Sequence, residues 1–334
     1  MSFVQSDCHL TVAVLYLLAC VGGTTKLTTN IGKSNMEKVP ITIGITAHNE
    51  EANIGQLLQM IQQQQFESVE PREIIVVASG CTDRTEDIVR EIMQHDDRIR
   101  LLVQEKREGK ASAINLFLKH QTERVLVLCS ADLQPRPDAI EKLAAPFADP
   151  EMGMTSCRPV PVNDKNTFMG FAAHMLWDLH HAINAGGGFK AGEMIAFIKI
   201  FERIPYRTSV DEASIEPVIR GQGYKVRYIA DAIVNNKGPD TVADFLRQRR
   251  RIYSGHLDIK ELLGYSVSTM SGGVILKALL RNMDWRPKQL IWTAAVIGLE
   301  VYGRFLGKRD FKNRKDHTIW EIATTTKTLS SQKE

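Results

Sequence analysis

Residues 39–51, VPITIGITAHNEE, alternate apolar and small polar positions, run apolar, and stop on a polar cluster. Residues 53–64, NIGQLLQMIQQQ, then place apolar side chains at helical spacing. The unit recurs. REIIVVASGCTDRT (72–85) is an apolar strand running into a polar loop, EDIVREIMQH (86–95) a helix, and IRLLVQE (99–105) a strand. KASAINLFLKH (110–120) is a helix, RVLVLCSAD (124–132) a strand, and DAIEKLAAPF (138–147) a helix. Strands alternating with helices of this length predict right-handed crossovers and an α/β fold, with a mostly parallel sheet flanked by helices. From about residue 150 the alternation breaks down, with glycines at 186–188, a strand pattern in GYKVRYIADAIV (223–234) and a basic helix over 242–263. Two apolar helical segments, GGVILKALL (272–280) and LIWTAAVIGLEVYGRFLG (290–307), precede a charged tail.

In such a sheet ligands sit beyond the carboxyl ends of the strands. The clusters AHNEE, SGCTD and SAD all fall there, so their side chains are expected to face one cleft. Asp132 ends the most apolar run and is followed by Pro135 and Pro137. A carboxylate at a dehydrated strand tip must be paired to stay charged. A divalent cation shared with an anionic ligand meets that need, and capping the next helix or the proline turn meets it equally well. Asp211 and Glu212 open a helical stretch, where the helix dipole favours acids; they read as an acidic first turn or as a general base. Arg249, Arg250 and Arg251 cannot share one helical face, so some are expected in solvent and another in the cleft near phosphate oxygens. Gly109 and Lys110 open a helix, as an anion site does. His174, Trp177, His180 and His181 share helical spacing, which favours packing over metal ligation.

The 334 residues, 43% hydrophobic and 24% charged, can bury a full core. A net charge of +3 does not point to nucleic acid, although basic residues crowd toward the C-terminal third. Cys8, Cys20, Cys81, Cys129 and Cys157 lack the spacing of a zinc site or a disulfide framework. Residues 1–36 hold an apolar stretch preceded by Asp7 and by no lysine or arginine; they are expected to be a dispensable extension, with Met36 as the functional start, or an N-terminal anchor.

In their order and separations these clusters resemble the inverting family-two glycosyltransferases of GT-A fold, the branch with cellulose, chitin and hyaluronan synthases, over roughly residues 38–255. The resemblance implies a nucleoside pocket from Ala47, His48, Asn49, Glu50 and Glu51 with Ser79 to Asp83, and Lys110 near the diphosphate. It places Asp132 in the metal-binding DxD motif, which implies Mg²⁺ or Mn²⁺, with Ser130 replacing that motif's first acid. KAGEMIAF (190–197) is similar to the acceptor loop, and Glu212, with Asp211 beside it, matches the position of the base. Gln248 and Arg251 match QxxRW, with Ile252 in place of the tryptophan that processive relatives use against the growing glycan. The implied activity is metal-assisted, inverting transfer of a hexosyl or N-acetylhexosaminyl group from a nucleotide-sugar donor to a glycan or polyprenyl-lipid acceptor. The rival readings are a nucleotidyltransferase making sugar nucleotides, whose glycine-rich first loop is missing after ITIGI, and a non-catalytic glycan-binding module.

The expected organisation is an extension (1–36), a GT-A domain (37–265), apolar helical segments (266–310) and a mobile charged tail (311–334). Within 290–307, Glu300 and Arg304 lie one helical turn apart, costly at depth in a bilayer and cheap at its surface. Lys308, Arg309, Lys312, Arg314 and Lys315 follow and would attract anionic headgroups. A cytoplasmic enzyme peripheral on the inner face of the cell membrane is expected; a helical hairpin packed on the domain is the alternative.

Overall fold

Seven consecutive buried positions, Ile41 to Ala47, make β1 (Val39–Ala47) the kind of strand that only a sheet covered on both faces can hold. The structure is a computed structural model and describes residues 37–206, 210–267 and 272–319, all in a unit that begins at Glu37. The N-terminal extension and tail residues 320–334 lie outside the described residues.

β1 pairs in parallel with β2 (Val69–Ser79) and β4 (Val125–Ser130), and β2 with β3 (Ile99–Gln104). The crossovers are α1 (Ile54–Gln62), α2 (Thr85–Met93) and α3 (Lys110–His120), as the periodicity predicts. Helix α3 settles closely on β1 because Gly44 has no side chain: a Cβ there would lie 2.6 Å from the ring of Phe117. After β4 a two-residue strand, β5 (Gln134–Pro135), precedes α4 (Ala139–Ala144). The expected helix over 138–147 then tightens into a 3₁₀ turn at Ala145–Ala148, where Pro146 supplies no amide proton.

The second half contains β6 (Met152–Pro161), α5 (Phe168–Ala185), β7 (Ile195–Ile198), α6 (Asp211–Gly221) and β8 (Lys225–Asn236). The eight strands run β3-β2-β1-β4-β7-β6-β8-β5. Direction changes at β7, antiparallel to both neighbours; β6 and β8 are parallel, and β5 closes the far edge antiparallel.

Three helices follow: α7 (Val242–Leu263), α8 (Gly272–Arg281) and α9 (Pro287–Lys312). Thr241 caps α7 by accepting from the amide of Asp244 at 3.1 Å, and Gly264 ends it in the left-handed conformation at φ 65°. The apolar segments pack on the domain. Trp292 of α9 meets Phe168 and Phe171 of α5 edge-on at 5.9 and 5.5 Å, and Ala278 of α8 packs with Leu179 and Ile183. Gly303 and Gly307 let α9 lie directly on α7, since a Cβ at 307 would stand 2.6 Å from the carbonyl oxygen of Arg250.

These contacts correct two expectations about charge. Glu300 and Arg304 pair at 3.0 Å, but Glu300 also faces Arg249 of α7 at 3.5 Å, so the pair turns inward, not toward a bilayer surface. Arg250 forms a two-pronged ion pair with the buried Asp310 of α9, and Arg251 is buried beside Asp211 and Glu212. Arg249 and Arg250 thus pair with acids of α9, which covers the face of α7 that the sequence alone leaves open, while Arg251 faces the cleft as expected.

Candidate active site

The tips of β1, β2 and β4, the start of α3, the first turn of α6 and the middle of α7 surround one cavity of about 390 Å³. Ala47, His48, Glu50, Ser79, Lys110, Asp132, Asp211, Glu212, Gln248 and Arg251 all line it. These residues span 205 positions of sequence (251 minus 47 plus 1), so the fold alone gathers them.

The strand-tip loops are locked to each other. His48 Nδ1 lies 2.6 Å from the carbonyl oxygen of Ser79, the amide of Glu50 donates to Thr85 Oγ1 at 2.7 Å, and its carboxylate accepts from Asn53. Gly80 adopts φ 58°, and a Cβ there would fall 2.3 Å from the amide nitrogen of Arg107. Only glycine brings the 79–83 loop so near the segment that leads to Lys110. The Ser79 hydroxyl is buried with no hydrogen-bond partner, which leaves one polar group ready for a ligand. Of the residues expected in the nucleoside pocket, Ala47, His48, Glu50 and Ser79 are on the cavity wall, and Asn49, Glu51 and residues 80–83 are not. Asn49 bonds the amide of Thr82 through Oδ1 at 2.8 Å, and Asp83 accepts from the amides of Glu51 and Thr85 at 3.0 Å each. Both are spent holding the two loops together.

Across the cavity, the Lys110 ammonium and the Glu212 carboxylate form an ion pair. Burial alone would push Lys110 down, but Glu212, Asp211 and Glu193 hold it above its ordinary value. Burial raises the Asp211 carboxyl, opposed by Lys110 and Arg251, and one of its oxygens has no hydrogen-bond partner. Glu193 completes this acidic end: burial pushes it up to about 7, and Glu212 and Asp132 add to the rise. In sequence, 190–197 reads as a loop in which nothing singles out Glu193, and nothing marks His256 or Thr318, which also line the cavity. No local pattern marks them; His256 is one polar residue on a long helix, and Thr318 arrives by chain reversal after α9.

Among the described residues no group of three or more His, Cys, Asp or Glu is placed to hold a metal ion by itself. Asp132 and Glu193 nonetheless line the same cavity, and the charge of Asp132 adds to the rise of Glu193. One or two carboxylates with open space beside them suit a hard dication that keeps water and takes further oxygens from phosphate, so the donor set fits Mg²⁺ or Mn²⁺. The histidine group is structural: His174 Nε2 lies 2.9 Å from the carbonyl oxygen of Asn163, His180 Nε2 lies 3.1 Å from that of Lys190, and His181 Nδ1 lies 2.9 Å from the Tyr228 hydroxyl.

A mixed sheet with its site at the tips of the parallel strands is the architecture of a GT-A glycosyltransferase. The profile of Glycosyl transferase family 2 matches residues 42–215, and the chain belongs to that family. It thus carries a family 2 glycosyltransferase domain. It is 25% identical over 240 residues to a probable glycosyltransferase, YdaM, of Bacillus subtilis, covering 67% of this chain and 57% of that protein. It is 28% identical over 131 residues to the poly-beta-1,6-N-acetyl-D-glucosamine synthase of Staphylococcus aureus, covering 39% of this chain and 31% of the synthase. The chain thus matches a little over half the length of the first relative and about a third of the second. In fold it is similar to the mannosyltransferase PcManGT of Pyrobaculum calidifontis, solved with GDP-Man and Mn²⁺: TM-score 0.59, 19% identity, 84% of this chain and 88% of that one.

Proposed function

We propose that this chain transfers a sugar with inversion, from a nucleotide-diphosphate donor bound across the strand tips to a hydroxyl of a glycan or lipid acceptor. The observation that carries the reading is the gathering of Lys110, Asp132, Glu212 and Arg251 on one cavity. Ala47, His48, Glu50 and the unpartnered Ser79 hydroxyl receive the nucleoside. Lys110 and Arg251 stabilise the negative charge that develops on the departing nucleoside diphosphate, and they do so more in the transition state than in the bound donor. Asp132, with Glu193 behind it, would hold Mg²⁺ or Mn²⁺, which when bound neutralises the diphosphate. Glu212 accepts the proton of the attacking hydroxyl as oxygen adds to the anomeric carbon from the face opposite the leaving group. In the structure its partner is Lys110, and a diphosphate drawing that lysine away would free the carboxylate.

α9 is the helix among the described residues that is long and apolar enough to cross a membrane. Its packing on α5 and α7 favours a position along the surface: Glu300 and Asp310 point inward, while Ile291, Val301 and Phe305 are each more than 60% exposed. With Lys308, Arg309 and Lys312 beside them, these side chains suit the inner face of an anionic membrane, with the catalytic cavity in the cytoplasm. A polyprenyl phosphate is an acceptor consistent with that position; being already ionised, it would not need Glu212.

The test is a panel of nucleotide sugars with Mn²⁺, scored for release of nucleoside diphosphate and for transfer. Wild-type protein is expected to hydrolyse one donor, and Asp132→Asn to lose that activity with an unchanged melting temperature. A metal-dependent, fully active Asp132→Asn enzyme would refute the assignment.

A further inference from the structure

The cavity has a second end with the opposite charge. Lys190, Arg249 and His256 line it, and Arg304 stands behind them. The acid set among these three cations is Glu300, which already pairs with both Arg249 and Arg304. Lys190 is half-buried, and among the described residues no carboxylate lies in ion-pair contact with it. Burial and the neighbouring Arg249 push it down to about 8. His256 is 7% exposed, and neither ring nitrogen has a hydrogen-bond partner. Burial and the same cations hold it well below the usual histidine range, so it is a neutral imidazole with one donor and one acceptor nitrogen to offer.

A buried imidazole with no partner is costly, and so is an unmatched ammonium beside a guanidinium. Both costs fall if an anion with several acceptor oxygens enters. The frame that holds them is rigid. The Lys190 amide donates to Asn184 Oδ1 at 2.9 Å, its carbonyl lies 3.1 Å from His180 Nε2, and Gly303 lets α9 press on the Cβ of Arg249.

We propose that Lys190, Arg249 and His256 form a subsite for a phosphate ester carried by the acceptor. This rests on the transferase reading above and narrows it: the sugar goes to a phosphorylated molecule, held by its phosphate at the basic end, three residues along the loop from the acidic end at Glu193. Lipid phosphates and soluble phosphorylated polyols or sugars share this chemistry, and the experiment separates them.

The first arm is calorimetry on the full chain with nucleoside diphosphate and Mg²⁺ saturating, so that the donor side is filled. Inorganic phosphate is expected to bind with unit stoichiometry, at least tenfold more weakly in Lys190→Met, with recovery in Lys190→Arg. No phosphate binding, or equal binding by Lys190→Met, overturns the proposal. The second arm compares glucose 6-phosphate with glucose in solution and farnesyl phosphate with farnesol in detergent micelles, using the donor found in the panel. The phosphorylated member of one pair is expected to be glycosylated at least tenfold faster than its counterpart, and the pair that responds identifies the source. Equal rates within both pairs overturn the proposal, as does a Lys190→Met protein whose nucleotide affinity falls as much as its affinity for phosphate. If no nucleoside diphosphate binds and no donor is hydrolysed, the transferase reading fails, while the phosphate titration of the nucleotide-free chain still judges the subsite.

Discussion

Two glycines nine residues apart on α9 should respond in opposite directions to the same substitution. A Cβ at Gly298 meets nothing within 4 Å, whereas at Gly307 it would lie 2.6 Å from the Arg250 carbonyl oxygen, 3.1 Å from Tyr253 Cβ and 3.2 Å from the Ser254 amide nitrogen. Alanine improves helix propensity at both sites by about 0.8–1 kcal/mol. At Gly298 that gain stands alone. At Gly307 a carbon must come within 2.6 Å of a backbone oxygen that belongs to a helix and cannot swing aside, so α9 has to lift by several tenths of an ångström. A lift of that size loosens the van der Waals contact along the α7 seam and lengthens the Arg250–Asp310 pair. Overpacking of this kind costs about 1–3 kcal/mol. Because propensity is common to both variants, the difference between them isolates the overlap, and it corresponds to a gap of roughly 2–5 °C in melting temperature for a domain of this size. Thermal unfolding followed by circular dichroism should place Gly298→Ala at or above wild type and Gly307→Ala below it. If the two melt together, α9 does not rest on α7 as described, and the inward pairing of Glu300 and Asp310 is wrong with it.

Glu212→Gln should lower the transfer rate by about 10²–10⁴-fold while nucleotide affinity holds or rises, since Lys110 is released from its partner; rate and affinity measured side by side decide this, and a loss confined to affinity contradicts the base role. Glu193, raised from 4.5 to about 7, favours folding fully below pH 4.5, and that contribution disappears as pH climbs through 7. At about 1.4 kcal/mol per pH unit it is worth up to about 3 kcal/mol, so urea unfolding of Glu193→Gln from pH 4.5 to 7.5 should show a flatter pH dependence than wild type. Val301→Glu with Phe305→Glu should weaken sedimentation with anionic vesicles at least several-fold while leaving soluble donor hydrolysis intact; unchanged sedimentation would place the membrane contact elsewhere.

The parallel half of the fold is legible because its central strands, β1, β2 and β4, are long apolar runs buried on both faces and helical spacing separates them. β6 and β7 are not. Met152–Pro161 carries Thr155, Ser156, Arg158 and two prolines, and it is accepted as a strand because β7 and β8 flank it. Ile195–Ile198 is too short to show a period. In the site, the strand-tip clusters could be read because topology alone sends them to one side. Asn49 and Asp83 tie the two loops to each other, a role the sequence does not disclose, because a polar residue in a loop gives no sign of whether it faces a ligand or the next loop. The basic end was invisible for a different reason: Lys190, Arg249, Glu300 and Arg304 become neighbours only when α9 folds back on α7.

The reversal of strand direction between β4 and β7 has a practical consequence. The contacts offered over 47–132 lie on the parallel side of that junction, Glu193, Glu212 and Arg251 on the other, and only four residue pairs, Val125 with Ile198 through Leu128 with Ile195, stitch the two strands. A chimaera joined at this ladder would therefore have to retain Glu193 and Arg251 with the donor half if the decorated molecule is to be exchanged without disturbing the sugar used.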